Sequence, residues 1–407
     1  MNQKNQVNHS SNNIPALRFP EFTEEWEWKK FSEITDVKSQ KYNPEKEKIS
    51  VKCIELEHLA SETGQLLGYT DGQFSGSIKN KFNSGDVLFG KLRPYLKKYL
   101  LATFDGVCSS EIWVFKGKEV TNEFLFFLIQ KNEFIDLANI SAGSKMPRAD
   151  WSIVSAGIFN IPSPLEQQKI ASFLSAIDEK LQALKKKKSL LEHYKKGVMQ
   201  KIFSQEIRFK DDNGEDFPEW ESKSLGEIAE RIKLKNAENN LNVLTISAQH
   251  GLISQLEFFN KSVSAKDITG YYLLHQDDFA YNKSYSNGYP MGAIKRLKRY
   301  KKGVVSTLYI CFRGKKDINN TFLEQYFEAG LQNIELEKVA QEGARNHGLL
   351  NVGVNDFFSI IMQIPSLAEQ TKIANFLSAI DEKISHCQTQ IDKTDQYKKG
   401  LLQQMFV

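Results

Sequence analysis

The sequence predicts an α+β protein: two mixed α/β globular domains separated by two long helices that form an antiparallel coiled coil, arranged as a pseudo-two-fold tandem repeat. Three observations predict it. The stretch EQQKIASFLSAIDEK, beginning at Glu166, returns as EQTKIANFLSAIDEK at Glu369. In both copies apolar residues recur at steps of three and four, the seam of a coiled coil. Each copy also follows a divergent stretch of about 150 residues, the size of an ordinary domain. A repeat of this kind constrains architecture before any local assignment is made.

At 407 residues the chain exceeds one ordinary core and has room for two to three domains. A hydrophobic content of 41% and a charged content of 26% are those of a soluble globular protein. The opening MNQKNQVNHSSNN has no apolar core of the signal-peptide kind, and residues 1–16 read as a disordered polar tail. The longest apolar runs, such as FLFFLI from Phe124, are too short to span a bilayer. Cys53, Cys108, Cys311 and Cys387 are scattered, with no C-x-x-C pair. That argues against a zinc ribbon or a disulfide framework and fits a reducing cytoplasm. A net charge of +4 permits a polyanionic partner without requiring one.

The first domain occupies residues 17–160 and the second 206–363. LRFPEFTEEWEWKKFSEI from Leu17 resembles IRFKDDNGEDFPEWESKSLGEI from Ile207, pairing Arg18 and Phe19 with Arg208 and Phe209, and Trp26 with Trp220. Farther on, GDVLFGK from Gly85 parallels DDFAYNK from Asp277, and GVCSSEIWVF from Gly106 parallels GVVSTLYICF from Gly303. The matched helices follow, over residues 161–205 and 364–407. They align without a gap from Ile161 against Ile364 to Phe203 against Phe406, a constant offset of 203 residues.

Each helix opens after a proline-containing break, IPSPLEQ or IPSLAEQ, a proper helix start. The first seam runs through Ile170, Leu174, Ile177, Leu181 and Leu184. The second runs through Ile373, Leu377, Ile380, Ile384 and Ile391. Some forty residues at 1.5 Å each make a rod of roughly 60 Å. A rod with one apolar stripe needs a partner to bury it, and the other copy is the obvious one. Antiparallel pairing is favoured over parallel, because the second domain lies between the helices and can span the return along the rod. The lysine run Lys185–Lys188 reads as a solvated outer face.

Catalytic signatures are missing. The chain has no G-x-x-x-x-G-K-[ST] phosphate loop, no G-x-G-x-x-G turn, no H-E-x-x-H and no G-x-S-x-G elbow. Nor does it carry the Asn/Asp-Pro-Pro-aromatic signature expected of an adenine-methylating enzyme. No catalytic residue, metal ligand or cofactor site of its own is expected. What the domains offer is basic residues mixed with aromatics, in GKLRPYLKKY from Gly90 and KRLKRYKK from Lys295. Lys and Arg at a surface neutralise phosphates and release counterions, and loop Arg, Asn, Lys and His can read base edges in the major groove. The candidates in the first domain are Lys91, Arg93, Lys97, Lys98, Lys145 and Arg148. Those in the second are Asn282, Lys283, Tyr285, Lys295, Arg296, Lys298, Arg345, Asn346 and His347. Taken singly such loops are often ordinary surface; their recurrence at corresponding places in both domains favours a shared ligand.

With its two IPSxxEQxKIAxFLSAIDEK helices, each behind a divergent domain, the chain resembles the specificity subunits of type I restriction-modification systems. GDVLFGKLRPYLKK followed by GVCSSEIWVF resembles the first domain of that family. The resemblance covers essentially the whole chain from about Leu17. It implies that each domain is a target-recognition domain, that the pair reads the two halves of a bipartite asymmetric DNA sequence, and that the helices set the gap. It also implies two methyltransferase subunits and up to two motor-nuclease subunits as partners. Those partners, not this chain, would use S-adenosylmethionine, ATP and Mg2+. Two rival readings are a coiled-coil adaptor whose domains bind proteins, and a self-sufficient nuclease or methyltransferase.

Overall fold

Each half of the chain opens with a strand that returns to the foot of its own long helix. In the computed structural model, which describes residues 14–140, 146–247, 250–260, 264, 267–340 and 350–407, Glu27–Lys30 pairs antiparallel with Ile158–Ile161. The long helix Pro164–Phe203 follows at once, with Pro164 at its first position. The second half repeats this: Glu221–Ser224 pairs with Ile361–Ile364, and the helix Leu367–Gln404 follows.

Between these landmarks, the first domain carries a four-stranded sheet in the order Thr35–Asp36, Ile112–Gly117, Val87–Gly90, Tyr99–Leu101. The second carries its counterpart as Ala229–Arg231, Ile310–Gly314, Phe279–Asn282, Ala293–Arg296. The stretches matched by sequence, GDVLFGK with DDFAYNK, thus supply the same strand of the same sheet. The domains differ beside it. The first adds a five-stranded sheet with one parallel pairing, Lys52–Ile54 against Gly106–Cys108. The second has two antiparallel pairs, Leu244–Ser247 with Gly251–Ser254 and Tyr272–His275 with Lys302–Val305, joined by a parallel bridge between Val243 and Val304.

Phenylalanine dominates both cores. In the first domain the Phe31 ring lies 5.4 Å from Phe115, 5.1 Å from Phe134 and 5.5 Å from Phe159. In the second, Phe279 stacks on Phe312 at 5.2 Å and Tyr281 on Phe357 at 4.7 Å. Offset and edge-on aromatic pairs of this kind contribute about 0.5–1.5 kcal/mol each beyond area burial.

Contacts divide the chain into two compact units that do not follow sequence order. One runs up to Lys186 and adds Gln388–Val407; the other is Lys187–Cys387. Each unit therefore holds the first part of one long helix and the last part of the other. In the first unit Ile170, Leu174 and Ile177 share a core with Leu401, Met405 and Phe406. In the second, Ile373, Leu377 and Ile380 share one with Met199, Ile202 and Phe203. Start lies against end both times, so the helices run antiparallel, as the sequence predicts.

The seam needs one correction. Ile170, Leu174 and Ile177 also pack into the domain core with Trp26, Phe124 and Phe127, and Ile373, Leu377 and Ile380 do the same with Trp220, Phe322 and Tyr326. Each start is welded to its domain as well as to the other helix. Leu181 and Ile391 are buried farther along, whereas Leu184 and Ile384 are only half-buried. Of the expected tail over residues 1–16, residues 1–13 lie outside the described residues. Pro15 is buried, and the Leu17 N–H donates to the Gln404 carbonyl at 2.9 Å.

Candidate nucleic-acid interface

A recognition surface has to be held rigidly, and the repeated EQ dipeptide does the holding. Glu166, in the first turn of its helix, is a buried carboxylate. It accepts two hydrogen bonds from the Arg18 guanidinium at 2.7 Å and one from the Trp26 indole N–H at 3.2 Å. Glu369 accepts from Arg208 at 3.2 and 2.9 Å and from Trp220 at 3.1 Å. The bonds to the carboxylate raise both arginines above their ordinary value. A carboxylate at a helix N-terminus is further favoured by the helix dipole.

The glutamine beside each glutamate grips the loop that leads into the domain's next helix. The Gln167 carbonyl accepts the Thr121 N–H at 3.0 Å, and its amide donates to the carbonyls of Glu119 and Pro162. Gln370 accepts the Asn319 N–H at 2.8 Å and donates to Pro365. Sequence reasoning paired Arg18 with Arg208 and Trp26 with Trp220 but assigned them no role. The usable signal was that both pairs recur together with an identical EQ.

On the sheets thus held, the segment after the third strand forms the candidate surface. In the first domain the Lys91 N–H donates to the Glu111 carbonyl at 2.9 Å, and the Lys91 carbonyl accepts the Ala149 N–H at 2.8 Å. One step on, the Arg93 N–H donates to the Pro147 carbonyl at 2.8 Å. Arg93 and Lys97 flank the turn Pro94–Leu96 with φ of 53° and 49°. Left-handed backbone at a non-glycine residue costs of order 1–3 kcal/mol and persists only where the surroundings impose it. Here two backbone rungs to the neighbouring segment and a buried Pro94 impose it. The Arg93 side chain projects exposed.

The other first-domain candidates are engaged. Arg148 forms a two-pronged ion pair with Glu111 at 3.0 and 3.2 Å. Lys97 lies 3.6 Å from Glu62, and the Lys98 ammonium donates to the Leu56 carbonyl at 2.6 Å. Lys145 lies outside the described residues, as do Arg345, Asn346 and His347.

In the second domain Lys283 repeats the position of Lys91: it follows the equivalent strand, and its carbonyl accepts the Leu350 N–H at 3.0 Å. Asn282 uses its side-chain carbonyl to accept the Ser284 N–H at 3.1 Å, a local turn-forming bond. Tyr285 is 63% exposed.

KRLKRYKK is a correction. Lys295 is buried, with its ammonium 2.6 Å from Glu328, 2.7 Å from the Tyr289 hydroxyl and over the Tyr289 ring. Arg296 bonds Asp277 at 2.5 and 2.8 Å and the Thr321 hydroxyl at 2.9 Å. Lys298 pairs with Glu324, Arg299 with Glu257 and Lys302 with Glu238. Carboxylates from elsewhere in the same unit neutralise this basic run. It is not the open phosphate-facing stripe its composition suggests, and Lys295 and Arg296 drop out as surface contacts. The side chains left without a bonded partner among the described residues are Lys91, Arg93, Lys283 and Tyr285.

No group of three or more His, Cys, Asp or Glu is placed to hold a metal ion among the described residues. No described helix is long and apolar enough to cross a membrane. All four cysteines are free and buried, and burial pushes the Cys53 thiol up to about 11, which makes it a poor nucleophile.

A scaffold that repeats its sockets and varies its loops is the build of a recognition subunit. Two successive stretches, residues 23–193 and 218–394, match the family described as type I restriction modification DNA specificity domain, and the chain belongs to that family. Its members are the non-catalytic specificity subunits of their systems.

Among curated relatives, the chain is 30% identical over 154 residues to the type I restriction enzyme EcoDI specificity subunit of Escherichia coli. That alignment covers 37% of this chain and 34% of the other. It is 27% identical over 213 residues to the MjaVIII specificity subunit of Methanocaldococcus jannaschii, covering 47% and 49%. The alignments thus span about a third to a half of these relatives' length. Among solved structures, the S subunit of a type I restriction-modification system from M. genitalium superposes with a TM-score of 0.61 at 15% identity, over 97% of this chain and 99% of that one. A chain from a structure describing complex assembly and conformational transition of the type I R-M system gives 0.54 at 18% identity, over 93% and 96%. These likenesses establish the fold.

Proposed function

We propose that this chain is the sequence-specific DNA-binding subunit of a type I restriction-modification complex, acting in the cytoplasm. Residues 17–160 and 206–363 would be the two target-recognition domains, each reading one half of a bipartite, asymmetric target. Residues 161–205 and 364–407 would set the spacing between halves and dock the methyltransferase subunits. The observation that carries this reading is the contrast within the duplication. The sockets Arg18–Glu166–Trp26 and Arg208–Glu369–Trp220 are repeated, while the exposed loop residues differ, Arg93 in one domain and Tyr285 in the other. Constant holders with unlike reading surfaces suit two unlike half-sites.

The helices support docking of one partner type twice. Most residues identical in the two copies have an internal role, such as Glu166 and Glu369 in the sockets. Several do not, and five of these share one face: Ala176, Glu179, Lys180, Tyr194 and Gly197 match Ala379, Glu382, Lys383, Tyr397 and Gly400, while the exposed pairs Lys196 with Lys399 and Gln200 with Gln403 lie off it. All but the glycines are exposed. At 100° per residue each set falls on one stripe about 100° wide, away from the seam. A Cβ at either glycine would meet nothing within 4 Å. The chain itself gives no reason for glycine there, and a partner helix approaching closely would. S-adenosylmethionine, ATP and Mg2+ would then be used by the methyltransferase and the motor-nuclease subunits.

The test is methylation mapping. With its methyltransferase partner, the chain should direct modification to one bipartite sequence. Exchanging Lys210–Phe358 for the same segment of another family member should change one half of that sequence only. Equal affinity of the assembled complex for a random duplex and for the mapped site would overturn the reading.

A further inference from the structure

Lys91 and Lys283 occupy the same place in two domains whose loops otherwise differ. Each is the first residue beyond the equivalent strand, Val87–Gly90 or Phe279–Asn282. The backbone carbonyl of each is fixed by an N–H from the segment that precedes the domain's last short helix, Ala149 at 2.8 Å and Leu350 at 3.0 Å. Each residue is half-buried, and neither ammonium has an ion pair or hydrogen bond among the described residues. The contrast with their neighbours is sharp, because Lys97, Lys98, Arg148, Lys295, Arg296 and Lys298 are all engaged. Two positions on, the residues diverge to Arg93 and Tyr285. What unlike DNA half-sites have in common is the phosphate backbone; what separates them is base edges. A lysine kept at one fixed position, as a compact charge on a flexible stem, matches the common part.

We infer that Lys91 and Lys283 are equivalent, sequence-neutral phosphate anchors, one for each half of the DNA target. The inference rests on the DNA-reading function proposed above. It assigns these two residues to affinity and orientation, leaving specificity to other loop side chains.

The experiment measures binding of the full chain, assembled with its methyltransferase partner, to the mapped target duplex and to a random duplex across a salt series. Lys91→Met and Lys283→Met should each flatten the dependence of log affinity on log salt by about 0.9, and the double variant by about 1.8. The fall in affinity between about 50 and about 200 mM salt should then shrink by roughly three- to fourfold per lysine. Target and random duplex should weaken by the same factor, and the methylated sequence should not change. Lys91→Arg and Lys283→Arg should restore the slope, which a packing role would not require. An unchanged slope in the double variant, with wild type still preferring its target, overturns this inference alone. A relaxed base preference in one half-site also overturns it, by making that lysine a base reader. A wild-type complex with no preference for its target removes both this inference and the function it rests on.

Discussion

Glu166 and Glu369 are 1% and 0% exposed, an environment that penalises a charge unless it is fully paired. Their pairing with Arg18 and Trp26, or Arg208 and Trp220, meets that demand. Removing one partner leaves an uncompensated charge, which costs about 3–5 kcal/mol. Arg18→Ala should therefore destabilise the chain by about 3 kcal/mol in denaturant unfolding. Arg18→Ala combined with Glu166→Gln should cost less than the two single changes added together. Lys295 is the milder case. Lys295→Ala leaves Glu328, which is partly open to water, without its closest cation, so it should lower the unfolding free energy by only about 1 kcal/mol. At temperatures where the variant stays folded, the salt dependence of DNA binding should not change; a flatter dependence would return Lys295 to the interface.

Lys131 provides a pH dependence. Burial lowers its ammonium below the ordinary 10.5, although Glu133 acts in the opposite direction. Between the lowered folded value and 10.5 the unfolded chain binds more protons than the folded one, so stability from this group rises as pH climbs through that window. Wild type should gain stability relative to Lys131→Met as pH is raised through the alkaline range toward 10.5. A parallel pair of unfolding curves would contradict the assignment.

Among the elements, the two long helices show why a seam pattern is an incomplete guide. Steps of three and four in the sequence say that a face is covered; they do not say by what. Ile170 and Ile373 turn out to be covered by a domain as well as by the other helix. The glycines are the element-scale test. Mid-helix glycine is worse than alanine by about 0.8–1 kcal/mol, and both sites have room for a Cβ. Gly197→Ala and Gly400→Ala should each stabilise the isolated chain by about 1 kcal/mol in thermal or denaturant unfolding. The same changes should weaken methyltransferase docking in a titration of the partner. Full-strength docking by the more stable double variant would show that this face is not the docking face.

For the whole molecule, register matters more than helix length. Asp178 pairs with Lys398 at 2.7 Å in one unit and Asp381 with Lys195 at 2.6 Å in the other. In each helix 17 residues separate the paired positions, Asp178 to Lys195 and Asp381 to Lys398. Inserting four residues, about one turn or 6 Å, after Lys180 alone gives the two helices unequal intervals and strains one of these layers. Matched insertions after Lys180 and Lys383 keep the intervals equal. Only the doubly inserted variant should be stable and shift the methylated gap by about two base pairs, given about 3.4 Å per step along the duplex. An unshifted gap in a stable, doubly inserted variant would reject the helices as the spacer.

Much of this architecture was legible in the chain because duplication doubles every signal. The paired helices, the two α/β domains and the matching stretches GDVLFGK and DDFAYNK followed from comparing one half with the other, and the antiparallel sense followed from the domain that lies between the helices. The candidate interface was legible only in part. Composition marked GKLRPYLKKY and KRLKRYKK alike, yet the first leaves Lys91 and Arg93 without a partner among the described residues, and the second is neutralised by Asp277, Glu324 and Glu328. Sequence by itself determined the repeat, the helical period and the missing catalytic signatures, because these are local patterns written along one dimension. Only tertiary structure decided which lysines are free and which glutamates are sockets. Charge pairing depends on residues dozens to more than a hundred positions apart, and the folded chain alone brings them within hydrogen-bond reach.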